Sequence, residues 1–69
     1  MSTRLLRLPR VEDITGLKKT QIYEAVERGT FPKPVRILEG GRAVAWIEQE
    51  IIDHVQSRIA LRDRKAKAQ

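Results

Sequence analysis

TGLKKTQIYEAVER, residues 15–28, is the stretch that decides the fold of this 69-residue chain. Read at helical spacing, its apolar side chains share one face and its polar side chains share the opposite face. The apolar set is Ile22, Ala25 and Val26, and the polar set is Thr20, Glu24 and Glu27. Gly29 follows as a helix stop signal. The pattern predicts an amphipathic helix that ends at Gly29.

A shorter helix is predicted upstream of this one. It begins near Pro9, because proline suits the first helical position, and Glu12 and Asp13 are expected in its first turn. Gly16 should end it. Two short helices joined by a glycine-containing turn form the helix-turn-helix unit, which places its second helix in the DNA major groove.

A β-hairpin is predicted after the two helices. The connector FPKP, residues 31–34, cannot be helical because each proline removes an amide donor and restricts the residue before it. Strand-like segments follow at residues 35–38 and 43–46, with a Gly40-Gly41 turn between them. A two-residue turn pairs Glu39 with Arg42, Ile37 with Val44 and Val35 with Trp46, and these pairs share the predicted core face. Arg36, Leu38, Ala43 and Ala45 then fall on the other face.

The two ends of the chain add an edge strand and a long third helix. The apolar run at residues 5–8 is compatible with a small strand that Pro9 stops. Five apolar residues recur at helical spacing downstream and are expected to close the core: Ile47, Ile51, Ile52, Val55 and Ile59. The predicted fold is mainly α with a small β-hairpin, a winged helix-turn-helix of three helices plus a wing. The domain is expected to span residues 1–61, with a frayed basic tail at 62–69.

Composition and charge narrow the class of protein. Cysteine is absent, which excludes disulfides and cysteine-bound zinc, and no stretch has the roughly 18 apolar residues of a membrane span. We expect a cytoplasmic, nucleoid-associated protein. Residues 58–69 hold five Lys/Arg and one Asp, whereas residues 1–57 hold nine Lys/Arg and eight Asp/Glu. The basic end favours a polyanionic partner, although a solvated tail has the same composition.

Together these residues resemble the AlpA family of phage and prophage regulators, small winged-helix proteins related to MerR-type DNA-binding domains and to phage excisionases. The resemblance covers residues 4–59. The motifs that carry it are Leu8-Pro9, Thr15-Gly16-Leu17, Thr20, Tyr23, Gly29, Phe31-Pro32, Pro34-Val35, Gly41-Arg42, Val44 and Trp46. It implies a sequence-specific DNA-binding regulator that acts on integrase or excision functions. Three positions depart from the family pattern: Lys18 replaces a helix-capping Ser, Glu24 a basic residue and His54 a Trp.

Candidate DNA-contacting residues lie on the second helix and on the wing. They are Lys18, Lys19, Thr20, Gln21, Tyr23, Arg28, Arg36 and Arg42. The helix start should reach base edges and phosphates, where Lys can bind guanine and Gln can bind adenine; a solvated helix start is the alternative. Tyr23 could donate to a phosphate or cover the core. Arg42 could contact the DNA backbone or pair with Glu39, and Trp46 is expected to pack in the core rather than stack on bases.

Three functions remain open from the sequence. The first is a DNA-binding regulator, the second is an architectural excisionase that works with an integrase, and the third is a protein-interaction module that uses the third helix. Catalytic constellations, a metal cluster around His54 and cofactor motifs are not seen, so the sequence predicts neither an enzyme nor a cofactor. The free protein is expected to be a monomer or a weak dimer, with self-association possible on DNA, because the apolar face of the third helix is assigned to the core.

Overall fold

A computed structural model describes residues 3–67 of the chain, with side chains up to residue 64. The end of the predicted basic tail therefore lies outside the described residues. In chain order the elements are β1 (Leu5–Leu6), α1 (Leu8–Thr15), α2 (Lys19–Arg28), β2 (Val35–Arg36), β3 (Val44–Ile47) and α3 (Glu48–Lys67). Three helices and a small antiparallel sheet make the winged helix-turn-helix that the sequence predicts. None of the helices within residues 3–67 is long and apolar enough to cross a membrane.

Glycines end both helices of the helix-turn-helix. Gly16 and Gly29 have φ values of 76° and 79°, in the left-handed region that glycine adopts without steric cost. The Gly16 amide donates to the Glu12 carbonyl at 2.8 Å. These predicted helix ends are confirmed. The expected acidic first turn of α1 is wrong, because the helix begins at Leu8 and Glu12 therefore lies beyond that turn.

Strand β3 is the centre of the sheet, whose order is β1-β3-β2. Leu5 pairs with Ile47 and Leu6 with Trp46, so the predicted N-terminal edge strand is confirmed for these two residues. Leu8, which the sequence also placed in the run, belongs to α1.

The register of the wing differs from the prediction by one residue. Val35 pairs with Ala45 and Arg36 with Val44, because the loop contains three residues, 39–41, instead of two. Within it, the Gly41 amide donates to the Leu38 carbonyl at 3.2 Å and Gly40 takes a φ of 75°, the third position of a turn that favours glycine.

A shift of one residue in the register moves each side chain of the strand at residues 35–38 to the opposite face of the sheet. Val35 and Ile37, predicted on the core face, are 36% and 37% exposed. Arg36 instead lies on the sheet face of Val44 and its neighbour Trp46. Ala45, predicted on the outer face, is fully buried.

The hydrophobic core consists of buried residues from β1, α1, α2, β3, α3 and the proline connector, packed together with Trp46. Its buried members are Leu6, Val11, Ile22, Phe31, Trp46 and Ile51. The indole Nε1 of Trp46 donates to the Pro32 carbonyl at 2.9 Å, which ties the proline connector to β3. The structural role predicted for Trp46 is confirmed.

Helix α3 contributes less to the core than the sequence predicts. Ile51 is fully buried, whereas Ile52 and Ile59 are 39% and 40% exposed. Ile47 is the last residue of β3 rather than a helix residue. The error arises because only one narrow face of α3 touches the sheet, and Ile52 lies about 100° around the helix from Ile51. The helix continues past Leu61, and the predicted domain boundary there remains a prediction.

Candidate nucleic-acid interface

Two side chains cap the start of α2, and neither belongs to its N-cap residue. Lys18 occupies that position with an extended backbone, but its ammonium group cannot accept a hydrogen bond. The Oε1 atom of Gln21 accepts from the Lys18 amide at 2.9 Å, and the Oε2 atom of Glu12 accepts from the Lys19 amide at 3.0 Å. In place of an acceptor on Lys18, the chain thus supplies one acceptor from α2 and one from α1.

The turn between α1 and α2 is held by Thr15. Its hydroxyl donates to the Val11 carbonyl at 2.7 Å and accepts from the Leu17 amide at 3.3 Å. Leu17 packs against the core, and Ile22 of α2 is fully buried. These contacts fix α2 against α1 and leave its first turn in solvent.

The outer face of α2 is mixed in charge. All of its predicted contact residues are exposed, and a shallow hollow on this face is lined by Lys19, Thr20, Tyr23, Glu24, Val26 and Glu27. With Ile22 facing inward, helical geometry directs Thr20, Glu24 and Glu27 outward, with Lys19 and Gln21 on the two flanks. Two carboxylates therefore share the face that would approach DNA.

Gln21 already has a partner inside the protein. A bidentate contact to adenine needs both its amide oxygen and its amide nitrogen. The oxygen is held by the Lys18 amide. Gln21 can donate from its nitrogen while it caps the helix, and a bidentate contact with adenine has to share the amide oxygen, which has two lone pairs, with the Lys18 amide.

Tyr23 joins the outer face of α2 to the core. The ring is 6.1 Å from the Trp46 ring between centroids, at an interplanar angle of 55°, and the residue is 37% exposed. Its ring therefore covers an edge of the core. Its remaining exposure leaves Tyr23 a candidate for contact with a phosphate.

The three predicted arginines lie in different places. Arg36 is exposed on the sheet face of Trp46, which is also the face that Tyr23 of α2 approaches. Arg42 is exposed beside the wing loop, and no ion pair within residues 3–67 joins it to Glu39. Arg28 lies in the last turn of α2, about 14 Å along the helix axis from Lys19. The structure thus places Arg36 on the sheet face that Tyr23 approaches and Arg28 at the far end of α2.

Sequence analysis missed the capping role of Glu12 and the charge that it brings. Its carboxylate contacts the amide end of α2, where a phosphate would also bind favourably. The contact crosses a turn between residues seven positions apart, so helical periodicity gives no signal for it.

His54 lies in α3, where it lines a groove with Thr15, the last residue of α1, and Leu17 of the turn between α1 and α2. Its ring makes an edge contact with Phe31, with ring centroids 4.8 Å apart. Burial, and secondarily the charge of Arg58, lowers the pKa of His54 below its usual value of 6.5. Among the residues that the structure describes, no three His, Cys, Asp or Glu side chains are grouped to hold a metal ion.

Comparison with known proteins gives one family and two curated relatives. The family described as prophage CP4-57 regulatory protein (AlpA) matches residues 4–59. An uncharacterized protein, ORF88, of Enterobacteria phage P4 is 41% identical over 61 residues, which cover 88% of this chain and 67% of the relative. The DNA-binding transcriptional activator AlpA of Escherichia coli K12 is 38% identical over 66 residues, covering 87% of this chain and 91% of the relative. No solved structure matches significantly.

Proposed function

The chain belongs to the AlpA family of prophage regulatory proteins, and from this premise we propose that it is a sequence-specific DNA-binding transcriptional regulator of a phage or an integrated element. The family match spans α1, α2, the wing and most of α3. The E. coli relative is described as a DNA-binding transcriptional activator. Regulation of integrase or excision functions is part of the proposal, with double-stranded DNA as the partner.

The observation that carries the proposal is the exposed first turn of α2. Lys18, Lys19 and Thr20 project from a helix start that Glu12, Gln21 and the buried Ile22 hold in place. The N-terminal residues of a recognition helix are those that reach base edges in the major groove. We assign Lys19 to base reading and Lys18 and Thr20 to the adjoining base edges and phosphates. Gln21 takes a secondary part, through its free amide nitrogen.

The wing supplies contacts to the DNA backbone in this proposal. Arg36 lies on the α2 side of the sheet, and Arg42 flanks the loop at the end of the hairpin. A guanidinium beside a recognition helix is suited to bind phosphate, which positions the protein without reading sequence. Tyr23 adds a possible phosphate donor between the two elements, and Arg28 extends the contact to the far end of α2.

A second candidate function, an architectural excisionase that assembles with an integrase, is favoured by Leu38. This residue is 60% exposed at the wing loop. Apolar side chains that enter the minor groove unstack base steps and bend DNA. If Leu38 acts in this way, Leu38→Ser reduces the bend angle measured by fluorescence energy transfer across a bound site, while the preferred sequence stays the same. An unbent complex with the wild-type protein excludes this candidate.

Substitutions on α2 test the recognition-helix assignment by fluorescence anisotropy on a selected DNA site. Lys19→Ala is expected to weaken binding by about 1 to 3 kcal/mol if Lys19 contacts a base. Gln56→Ala, on the exposed surface of α3, is the matched control and should bind as the wild type does. Wild-type affinity and unchanged base preference in Lys19→Ala would contradict the assignment.

Gln21 needs two variants, because capping and DNA reading are combined in one side chain. Gln21→Glu keeps an oxygen that can accept from the Lys18 amide but removes the amide donor, whereas Gln21→Ala removes both. A loss of affinity in Gln21→Ala for the selected site, with binding to scrambled DNA unchanged, indicates DNA contact, because the charge that Gln21→Glu adds and the loss of the cap weaken binding to both duplexes. Lower stability in Gln21→Ala alone, with the preference for the selected site over scrambled DNA unchanged in both variants, indicates that Gln21 only caps the helix.

A further inference from the structure

One face of α3 carries apolar side chains that the fold leaves in solvent. Positions 48, 52, 55, 59 and 62 follow one another at alternating intervals of four and three residues, the spacing of a coiled-coil contact line. We call Glu48, Ile52, Val55, Ile59 and Arg62 the α3 seam. Ile52 and Ile59 are 39% and 40% exposed, and Val55 is half-buried.

The middle of the seam continues into a groove on the neighbouring helix. Val55, Ile59 and Arg62 line this groove together with Ile14 and Leu17, from the end of α1 and the turn that follows it. Ile14 is itself 40% exposed. The apolar surface is therefore wider than a single helix.

Charge along the seam is ordered from acidic to basic. The first half of α3 holds three acidic residues, Glu48, Glu50 and Asp53, and its second half holds five Lys/Arg and one acidic residue, Asp63. When two such helices are aligned antiparallel about Val55, Glu48 of one copy meets Arg62 of the other, and Ile52 lies within one residue, about 1.5 Å along the axis, of the position opposite Ile59. A parallel alignment would instead place Glu48 against Glu48 and Arg62 against Arg62.

We propose that the α3 seam binds the α3 seam of a second copy of this chain, in an antiparallel two-fold dimer. The surface is self-complementary, as an isologous contact requires, because the same residues supply both members of each pair. A different partner would have no need of this internal symmetry. The proposal concerns the protein without DNA, so it is independent of the function proposed above.

The groups that the dimer would engage are available for it. Glu48 pairs with Arg4 at 3.9 Å, and Arg62 with the adjacent Asp63 at 2.9 Å. Both are surface ion pairs, which contribute little stability and can exchange partners. Residues 48–62 span about 22 Å of helix, less than a standard interface supplies, so the dimer is weak and depends on concentration.

Sedimentation equilibrium of the full chain, without DNA, tests the proposal. The wild type should show reversible dimerisation at concentrations up to about 1 mM. Glu48→Arg and Arg62→Glu should each weaken association about tenfold, because like charges then meet twice across the two-fold axis. The double variant should recover the wild-type affinity, since both pairs are attractive again.

Two further variants control the experiment. Glu50→Arg makes the same charge change outside the seam and should dimerise as the wild type does. Ile52→Ala should weaken the dimer without unfolding the domain, because Ile52 is exposed, and circular dichroism confirms the fold of each variant. A protein that stays monomeric over the whole concentration range overturns the proposal. A dimer that the single charge reversals leave unchanged, or that the double variant fails to restore, overturns it as well.

Discussion

Glu12 and Gln21 hold the first turn of α2 from two directions, and they do so because Lys18 cannot. Amides at a helix start that have a hydrogen-bond acceptor cost less free energy than amides without one, so these two acceptors stabilise the helix that the proposal directs at DNA. Glu12 also places a carboxylate where a phosphate would bind. At the residue scale, stability and DNA affinity are thus opposed at this one position.

Replacement of Glu12 separates its two effects. Glu12→Ala should lower the free energy of unfolding by about 0.5 to 2 kcal/mol, the usual cost of a lost helix cap, in urea unfolding followed by circular dichroism. Glu12→Gln keeps an oxygen acceptor and should lose less stability, while it removes the negative charge and raises DNA affinity. Equal stability of the wild type and Glu12→Ala would show that the contact with the Lys19 amide does not stabilise the fold.

His54 makes stability depend on pH. Its pKa is lowered in the folded state, first by burial and then by Arg58, so the unfolded chain binds more protons as pH falls below about 6.5. The contribution of neutral His54 to the free energy of unfolding should be complete above that pH, and it should decline as the pH falls through the folded-state pKa. Thermal unfolding between about pH 5 and 7 should show this decline in the wild type and a flatter profile in His54→Gln. Identical profiles would remove His54 as the cause.

At the element scale, the wing is positioned by its turn more than by its hydrophobic pattern. The three-residue loop moves Arg36 to the face of Trp46 and leaves Val35 and Ile37 in solvent. Arg42 stays at the edge of this loop, exposed. The wing therefore carries one arginine on the sheet face that Tyr23 approaches and one near its tip.

Arg42→Ala should weaken specific and non-specific DNA binding about equally. A backbone contact positions the protein but carries no sequence information, and its loss should reduce the slope of log affinity against log salt by about one. Titrations of a selected and a scrambled duplex at several salt concentrations measure both effects. A change in base preference with an unaltered slope would mean that the wing reads sequence.

Helix α3 offers two adjacent isoleucines with opposite environments. Ile51→Val should cost about 0.5 to 1.5 kcal/mol of stability because it removes a methylene from the core, whereas Ile52→Val should change stability by about 0.5 kcal/mol or less. Urea unfolding at low protein concentration keeps the comparison within the monomer. Equal losses in the two variants would place Ile52 in the core after all.

The sequence predicts the helix ends better than it predicts the wing register or the burial of side chains on α3. Helix ends depend on local backbone properties, whereas the other two features do not. Gly16 and Gly29 end helices through their own backbone freedom, which is a local property that the sequence displays. The wing register depends on whether the loop takes two or three residues, and both are compatible with Gly40-Gly41. The burial of Ile52 depends on where α3 meets the sheet, which is a tertiary property.

The same distinction between local and tertiary properties applies to the candidate DNA-binding residues. Exposure of Lys18, Lys19 and Thr20 follows from the amphipathic pattern of α2, and it was predicted. The bond between Gln21 and the Lys18 amide, and that between Glu12 and the Lys19 amide, needed the packed helices to become visible. Which of these residues touches DNA remains a prediction.

The whole molecule combines a small core with an uneven charge distribution. Five buried side chains surround Trp46, and a domain of this size has only about 3 to 5 kcal/mol of stability from one core. Five of the 14 basic residues lie in the last 12 positions, all within the second half of α3. The protein can therefore meet DNA through its α2 face for sequence and through its C-terminal end for general attraction to phosphate.

Selection of bound duplexes from a random DNA pool by the full chain tests the central claim most directly, because it measures binding and specificity together. The account predicts one enriched motif, bound more tightly than scrambled DNA and less tightly as salt rises, and a weakened or altered motif in Lys19→Ala. A selected pool that stays random, or the same motif at the same strength in Lys19→Ala, would contradict sequence reading by the first turn of α2.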